Sequence, residues 1–397
     1  MKSLLTYPLL APDMEQFFAT CPRGLEGVLA DELKALGAAD IQAADGGTGF
    51  SGPYALCRHV NLESRIASRV LWRIGHCSYR SENDIFNAAK KIRWAQWFGP
   101  KQTIRVDTAA IKSPLQSIDF VTLRVKDAVC DVLRNSEGLR PDVDTRAPDV
   151  RIHVFLTRDD AVFYLDTSGD ALFKRGWRMA AGEAPLRENL AAGILKLAGW
   201  TPEQALLDPM CGSGTFLVEA ALMARNRAPG LGRSFGFEKL RNHDAQDWAS
   251  LREQAVAREN KSIKTDIYGY DRSGDAIAIA TRNIAALGLE AAISLKQCSF
   301  EDSKPPVAAG LLITNPPYGV RMEELDDLAD WYPKLGDVLK QRYAGWTAFI
   351  LTGDLRIAKL MRLQPSRRTP LFNGALECRL FKYEIVAGSM RKTKEEA

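Results

Sequence analysis

Apolar positions along this chain change period several times, and each change predicts an element. Phe17-Phe18-Ala19-Thr20 predicts a short strand. Leu25, Val28, Leu29, Leu33 and Leu36 recur at helical spacing, with Thr20 or Cys21 as cap, Pro22 early in the helix and Gly37 past its end. Gly46-Gly47-Thr48-Gly49 predicts a turn, and Leu62, Ile66, Val70 and Leu71 predict a second amphipathic helix. Thr103–Asp107 predicts a strand and Phe120–Leu133 a helix. Asp149–Leu156 and Val162–Asp166 predict two strands joined through Arg158-Asp159-Asp160. Short strands mixed with a few helices make an α+β pattern.

The second half reads differently. Ala184-Pro185-Leu186-Arg187-Glu188-Asn189-Leu190 starts a helix. The apolar run Leu206-Leu207 ends in Asp208-Pro209, a turn carries Cys211-Gly212-Ser213-Gly214-Thr215, and Phe216–Ala224 is a helix. Strand, tight glycine turn and helix start form the first crossover of a doubly wound α/β sheet. Ile267–Asp271, Ile293–Cys298, Leu311–Thr314 and Trp346–Thr352 supply further strands. Asn373-Gly374 sits where a hairpin turn belongs, inside Leu371–Tyr383. Between the first two of these strands runs a long insertion, Arg225–Lys264, which a plain crossover does not need.

Composition narrows the class only a little. The 397 residues suffice for two or three domains. A hydrophobic share of 46% and a charged share of 26% are those of a soluble globular chain. The net charge of +4 allows a local basic face without demanding a nucleic-acid partner. No apolar run reaches the ~18–20 residues needed to span a bilayer, so no membrane partner is expected. Residues 1–14 read as a loose leader, too short and too proline-broken for a signal peptide. The seven cysteines are scattered without a Cys-x-x-Cys, and there are four histidines. That pattern predicts reduced thiols in the cytoplasm and no structural metal site.

The glycine turn, the strand-end Asp271 and Asn315-Pro316-Pro317-Tyr318 follow one another in an order that resembles the class I S-adenosylmethionine-dependent methyltransferases. More narrowly, they resemble those that methylate an exocyclic amine. The stretch from Ser117 through Leu123–Ala128, Arg151–Val154 and Leu165–Gly169 resembles the THUMP domain, an RNA-binding module. The residues before it resemble the small ferredoxin-like domain that accompanies THUMP. The resemblance runs from about residue 15 to 386 and is closest to the THUMP-containing bacterial 23S ribosomal RNA guanine-N2 methyltransferases. It implies a ferredoxin-like part at 15–59, a THUMP domain at 60–168, a Rossmann-like domain at 169–388 and a charged tail at 389–397. The last domain is expected to hold a seven-stranded, mostly parallel sheet closed by an antiparallel hairpin.

The resemblance also implies S-adenosyl-L-methionine as cofactor and RNA as partner, 23S ribosomal RNA or a ribosomal precursor first and transfer RNA as the alternative. It puts the helix of Asn189 beside the methionine end of the cofactor. Asp208, Pro209, Cys211, Gly212, Ser213, Gly214 and Thr215 then line the cofactor turn. Asp271 accepts from the ribose hydroxyls, and Ser299-Phe300 stand where relatives hold the adenine, often with an acid in place of Ser299. Cys211 lies on the wrong side of the transferred methyl to be a nucleophile. The cations of the insertion, Arg225, Arg227, Arg233, Lys239 and Arg241, belong either to a solvated helical excursion or to a lip that touches RNA.

The catalytic residues are expected to be Asn315, Pro316 and Tyr318. A nucleobase amine is a poor nucleophile because its lone pair is delocalised into the ring. The Asn315 side-chain oxygen and the Pro316 carbonyl can accept its two N–H groups and turn the lone pair toward the methyl. Tyr318 offers a ring on which a flipped base can stack. Two rivals share parts of this pattern. A protein glutamine methyltransferase also orients an amide with Asn-Pro-Pro-Tyr, and a non-catalytic RNA-binding assembly factor would need no cofactor turn.

Overall fold

The computed structural model describes residues 14–178, 186–262, 264–317 and 322–386, with the side chains of 322–329 left aside. The chain forms two compact units. The first takes residues up to Cys21, then Leu29–Leu172 and Gly230–Gln254. The second takes Pro22–Val28, Phe173–Pro229 and the chain from Ala255 onward.

In chain order the first unit's elements are β1 (Glu15–Thr20), α1 (Glu26–Ala35), β2 (Ala39–Ala44), β3 (Gly47–Gly52), α2 (Ala55–Glu63), β4 (Arg69–Ser78), α3 (Glu82–Lys91), β5 (Ile104–Ala110), α4 (Ile118–Glu137), β6 (Val150–Leu156) and β7 (Asp160–Asp166). The strands form one sheet in the order β2-β3-β1-β4-β7-β6-β5. All its pairs are antiparallel except β5 with β6, which α4 joins as a βαβ unit. β6 alternates buried and half-buried positions, the pattern of a strand with one face on a core. Val121, Val125, Ala128, Val129 and Leu133 of α4 are buried along one helical stripe.

Three expectations fail here for identifiable reasons. The first helix begins at Glu26, not after Cys21. Gly24 stands at φ +92° and its N–H donates to Glu26 Oε2 at 2.8 Å, so the chain turns before the helix starts. A Cβ on Gly24 would lie 2.3 Å from the Pro370 carbonyl oxygen, so that turn requires glycine. The glycines Gly47 and Gly49 lie in β3, and only Gly46 keeps the turn. The amphipathic helix through Leu62–Leu71 stops at Ser64, and Val70 and Leu71 belong to β4. The buried Glu32 carboxylate accepts from Ser64 Oγ at 2.5 Å, Arg65 N at 3.0 Å and Ile66 N at 3.2 Å. It replaces the helix carbonyls those groups would have used.

The insertion carries the mostly exposed helix α7 (Ala245–Ala257), as the reading of a solvated helical excursion expects, and several of its side chains are also tied to the first unit. Phe235, Phe237 and Trp248 form an aromatic cluster within the first unit, with ring centroids 5.0–5.6 Å apart. Arg233 donates to the Ala171 and Asp170 carbonyls at 2.6 and 2.7 Å. Arg241 pairs with Glu137 at 2.8 Å, Lys239 with Asp149 at 2.7 Å and Arg58 with Asp247 at 2.5 Å. Arg227 is 3.3 Å from Glu259. Of the cations the sequence singled out, Arg227, Arg233, Lys239 and Arg241 are engaged by protein oxygens, and Arg225 is buried.

The second unit continues with α5 (Glu188–Ala198), β8 (Leu206–Asp208), α6 (Thr215–Ala224), α7 (Ala245–Ala257), β9 (Ile267–Asp271), α8 (Gly274–Ala285), β10 (Ile293–Gln297), β11 (Leu311–Thr314), α9 (Met322–Arg342), β12 (Thr347–Thr352), α10 (Ile357–Leu360), β13 (Arg367–Asn373) and β14 (Leu376–Glu384). Of α7, only the residues from Ala255 belong to this unit. Its sheet has the order β10-β9-β8-β11-β12-β14-β13. The first five strands are parallel, and β14 and β13 add antiparallel pairs, as the sequence resemblance implies. β8 and β11 are buried at every position, so they read as unbroken apolar runs. The chain builds outward from β8 to β10 and then returns to β11 on the other side of β8. That reversal leaves a crevice at the carboxyl ends of β8 and β11, where open α/β sheets bind ligands.

Candidate functional site

Two polar ends face this crevice from β8 and β11: Asp208 and the Thr314-Asn315 step. Strand β9, on the other flank of β8, ends in Asp271. The turn after β8 is tied to β9 twice. Cys211 N–H donates to the Tyr270 carbonyl at 2.8 Å, and Gly212 N–H donates to Asp271 Oδ2 at 2.9 Å. Asp271 Oδ1 accepts from Ser273 N–H at 2.9 Å, where α8 begins. A carboxylate offers about four lone-pair directions, so two stay open after both backbone bonds are made.

Gly212 takes φ +52° and Gly214 φ +82°, a region that side-chain-bearing residues rarely adopt. At Gly212 a Cβ would meet nothing within 4 Å, so the glycine there answers to backbone conformation and leaves open space above the turn. At Gly214 it would touch Ala280 at 3.4 Å. Pro209 and Thr215 are buried, and Ser213 is half-buried. The Ser213 carbonyl accepts from Asn283 Nδ2 at 3.0 Å.

Arg178 is a residue that sequence reasoning missed. Its guanidinium donates to Ser213 Oγ and Thr215 Oγ1, each at 3.0 Å, and to the Leu186 carbonyl at 3.1 Å. It also pairs with Glu188 at 2.8 Å. One planar fork thus fixes both hydroxyls of the glycine turn to the start of α5. Nearby, Arg175 lies 3.5 Å from Glu219 of α6, with both side chains buried. Asn189 is fully buried in the first turn of α5, next to Glu188. Glu188 is buried, while its neighbour Arg187 is exposed. Only the run Arg175-Gly176-Trp177-Arg178, dense in cations just before a helix, hinted at these roles.

Asp208 is 3% exposed. Burial pushes its carboxyl up to about 7, and the nearby Asp271 charge adds to the rise, while the Thr314 hydroxyl and Met210 N–H oppose it. Burial also raises the Cys211 thiol well above its ordinary range, with Asp208 and Asp271 acting in the same direction. The thiol therefore stays protonated and is a poor nucleophile.

After β11, Asn315 Oδ1 is buried and has no hydrogen-bond partner among the described residues. Pro316 is buried and Pro317 exposed. Tyr318 lies outside the described residues. Ser299 and Phe300 are drawn into other contacts. Ser299 Oγ donates to Asp302 Oδ2 at 2.7 Å and accepts from Asp302 N–H at 3.2 Å. The Phe300 ring stacks on Tyr343, 6.2 Å between centroids and 8° between planes, inside an apolar cluster.

Comparison with known proteins matches three parts of the chain. The model of the RMKL-like methyltransferase domain matches residues 175–382, that of the THUMP domain residues 79–166 and that of the RlmL ferredoxin-like domain residues 16–71. A Synechocystis sp. protein named as an RNA methyltransferase is 40% identical over 370 residues, covering 93% of this chain and 96% of its own. The ribosomal RNA large subunit methyltransferase K/L of Syntrophotalea carbinolica is 40% identical over 381 residues, 93% of this chain. This chain spans only 53% of that relative's length. The crystal structure of the methyltransferase SMU.472 with bound SAH is 31% identical, with a TM-score of 0.85, over 96% of this chain and 100% of the other. Among the described residues no helix is long and apolar enough to cross a membrane.

Proposed function

Because the chain belongs to the RMKL-like methyltransferase family, with THUMP and ferredoxin-like domains ahead of the catalytic one, we propose that it methylates the exocyclic N2 amine of a guanine in large-subunit ribosomal RNA. The methyl donor is S-adenosylmethionine, which when bound supplies an electrophilic sulfonium methyl. The residues present suit such a group. Asp271 has two open lone-pair directions for a vicinal diol, the Gly212 turn leaves space above it, and a buried carboxyl at Asp208 suits a cationic amine. Arg178 holds Ser213 and Thr215 in place beneath that space.

The observation that carries the acceptor assignment is the buried Asn315 Oδ1, an acceptor with no protein donor among the described residues. Leaving such an atom unpaired costs about 1–3 kcal/mol, a penalty an incoming amine would remove. Asn315 Oδ1 and the Pro316 carbonyl would take the two N–H groups of the amine and aim its lone pair. Tyr318 would stack on the base. The chain needs no strong base, because the amine becomes acidic once alkylated. Preference for guanine over adenine rests on the resemblance, since the tetrapeptide would orient either amine. Ribosomal over transfer RNA is supported by the K/L relatives' name. None of the seven cysteines is in a disulfide, which supports a reducing, cytoplasmic setting.

Nucleoside mass spectrometry of ribosomal and transfer RNA, with and without the gene, tests the reading. The expected result is loss of one N2-methylguanosine from large-subunit RNA alone. Loss from transfer RNA instead would move the substrate, and loss of N6-methyladenosine would move the base.

The pH dependence of donor binding follows from Asp208. The free protein holds this carboxyl near pH 7, and a cationic partner favours its ionised form. Below that pH a proton must leave as the donor binds, so affinity rises with pH. From pH 6 to 7.5 the rise should be roughly five- to tenfold, and Asp208→Asn should flatten it. Calorimetry in buffers of different ionisation enthalpy reads the released proton. A flat profile in the native protein would remove Asp208 from contact with the donor's amine.

A further inference from the structure

The crevice is bordered by one more polar strand end, which the proposed donor site does not use. In the second unit's sheet β12 lies beside β11, on the side away from β8, and runs parallel to it with Thr314 opposite Ile350. Asn315 follows Thr314, and β12 ends two residues past Ile350, at Thr352. Thr352 Oγ1 accepts from Asp354 N–H at 3.0 Å and turns the chain, so Asp354 stands just beyond the strand end. With strands about 4.8 Å apart and a rise of ~3.3 Å per residue, the Cα atoms of Asn315 and Asp354 are roughly 11 Å apart or less. One base held between two hydrogen-bonding side chains fits that span.

Asp354 and Arg356 form a fixed acceptor–donor pair there. The Asp354 side chain is 6% exposed and that of Arg356 46%. Asp354 Oδ1 accepts from Arg356 N–H at 3.0 Å, Oδ2 accepts from Arg356 Nη2 at 2.8 Å, and Arg356 Nε is shared between the two oxygens at 3.0 and 3.2 Å. Three donors against about four lone-pair directions leave one direction open. The Arg356 guanidinium keeps the carboxyl below the usual carboxylate range, so it acts only as an acceptor at neutral pH. Burial pushes the phenol of Tyr332, on α9, up to about 12, and the Asp354 charge adds to the rise. The Tyr332 hydroxyl is buried with no hydrogen-bond partner among the described residues, as Asn315 Oδ1 is after β11. Buried polar atoms without partners thus mark both strand ends, and such atoms suit a polar ligand.

We infer that Asp354 and Arg356 select guanine as the acceptor base, the Asp354 carboxylate accepting from its N1–H and the Arg356 guanidinium donating to its O6. The inference rests on the reading that the methylated group is the N2 amine of guanine. With that amine on Asn315 and the Pro316 carbonyl, the next groups along the same edge are N1–H, a donor, and O6, an acceptor. A carboxylate followed by a guanidinium matches them in order. Adenine presented by its own amine would set a bare N1 against the carboxylate, two acceptors face to face. Asn315-Pro316-Pro317-Tyr318 orients either amine, so the pair supplies the discrimination that the tetrapeptide lacks.

The test uses the full-length protein and large-subunit RNA assembled by ligation, so that the methylated position located by mass spectrometry carries guanine or 2,6-diaminopurine. Both bases offer an N2 amine. Diaminopurine has a bare N1 and an N–H₂ where guanine has N1–H and O6. Single-turnover N2 methylation by the native protein should favour guanine on the order of 10²-fold or more, as expected where buried polar groups would face the wrong partners. Asp354→Asn and Arg356→Met should each bring that ratio within about tenfold. Donor affinity read by calorimetry should stay unchanged in both. A structural defect slows both RNAs alike and leaves the ratio where it was, so the ratio separates recognition from folding. Normal methylation of the guanine RNA with a native ratio below about tenfold, or a native-like ratio in either variant, would overturn this inference alone. If the native protein leaves the guanine N2 unmethylated, or the mark lies on adenine, the functional reading fails and the inference fails with it.

Discussion

Asn315→Ala is expected to bind the methyl donor within about twofold of the native protein and to lose turnover on the order of 10²–10³-fold, the usual penalty for removing one preorganised hydrogen-bonding group from a reacting centre. Asn315 follows β11, on the opposite side of β8 from the strand that carries Asp271. Its side-chain oxygen is buried without a donor among the described residues, so its truncation removes no internal hydrogen bond from that atom. Thermal stability should therefore hold or rise, which separates this variant from one that merely unfolds. Asn315→Asp keeps an oxygen acceptor while adding a buried charge, and it should keep more activity than the alanine variant in single-turnover assays. Calorimetry with the donor and single-turnover methylation of ribosomal RNA read the two halves of the claim. A normal methylation rate in Asn315→Ala would mean that the acceptor amine is oriented by other groups.

The parts of this protein that were legible in its sequence are those whose cause is local. The glycine turn after β8, the Asn373-Gly374 hairpin and the fully apolar runs of β8 and β11 are each set by neighbours within a few residues. The Rossmann-like sheet follows from their order, and the comparisons agree with the family. The misread parts depend on groups far away in sequence. Nothing between Leu62 and Leu71 announces that the helix must stop, because the carboxylate that stops it belongs to Glu32. Arg233, Lys239 and Arg241 look like a free basic run until the carbonyls and carboxylates of residues 137–171 are seen around them. Arg178 has the same character, since its hydroxyl partners lie 35 and 37 residues on. Charged side chains were the least readable class, because their roles are decided by partners that local pattern does not reveal.

The same long-range logic makes Asp271 the position where one substitution should cost the donor site most. Asp271→Ala is expected to weaken donor binding at least a hundredfold, beyond the loss of a single contact. The carboxylate does two jobs inside the protein before any ligand arrives. Its Oδ2 holds Gly212 N–H at 2.9 Å, and its Oδ1 holds Ser273 N–H at 2.9 Å. Alanine leaves both donors without that acceptor. The exposed Ser273 N–H passes to water, but the part-buried Gly212 N–H costs about 1–3 kcal/mol, and the change frees a turn whose glycines already stand at positive φ. It also removes the acceptors proposed for the donor's vicinal hydroxyls, charge-assisted bonds worth ~1.5–3 kcal/mol each. Asp271→Asn discriminates between the two contributions. Its amide can accept from one backbone N–H but must turn an N–H₂ toward the other, so it should recover part of the affinity and no more. Calorimetry with S-adenosylmethionine, alongside amide exchange at Gly212 and Ser273, reads both effects. Unchanged affinity in Asp271→Ala would remove this carboxylate from the donor site. Lost affinity with fully protected amides would show that the hydroxyl contacts, and not the turn, carry the effect.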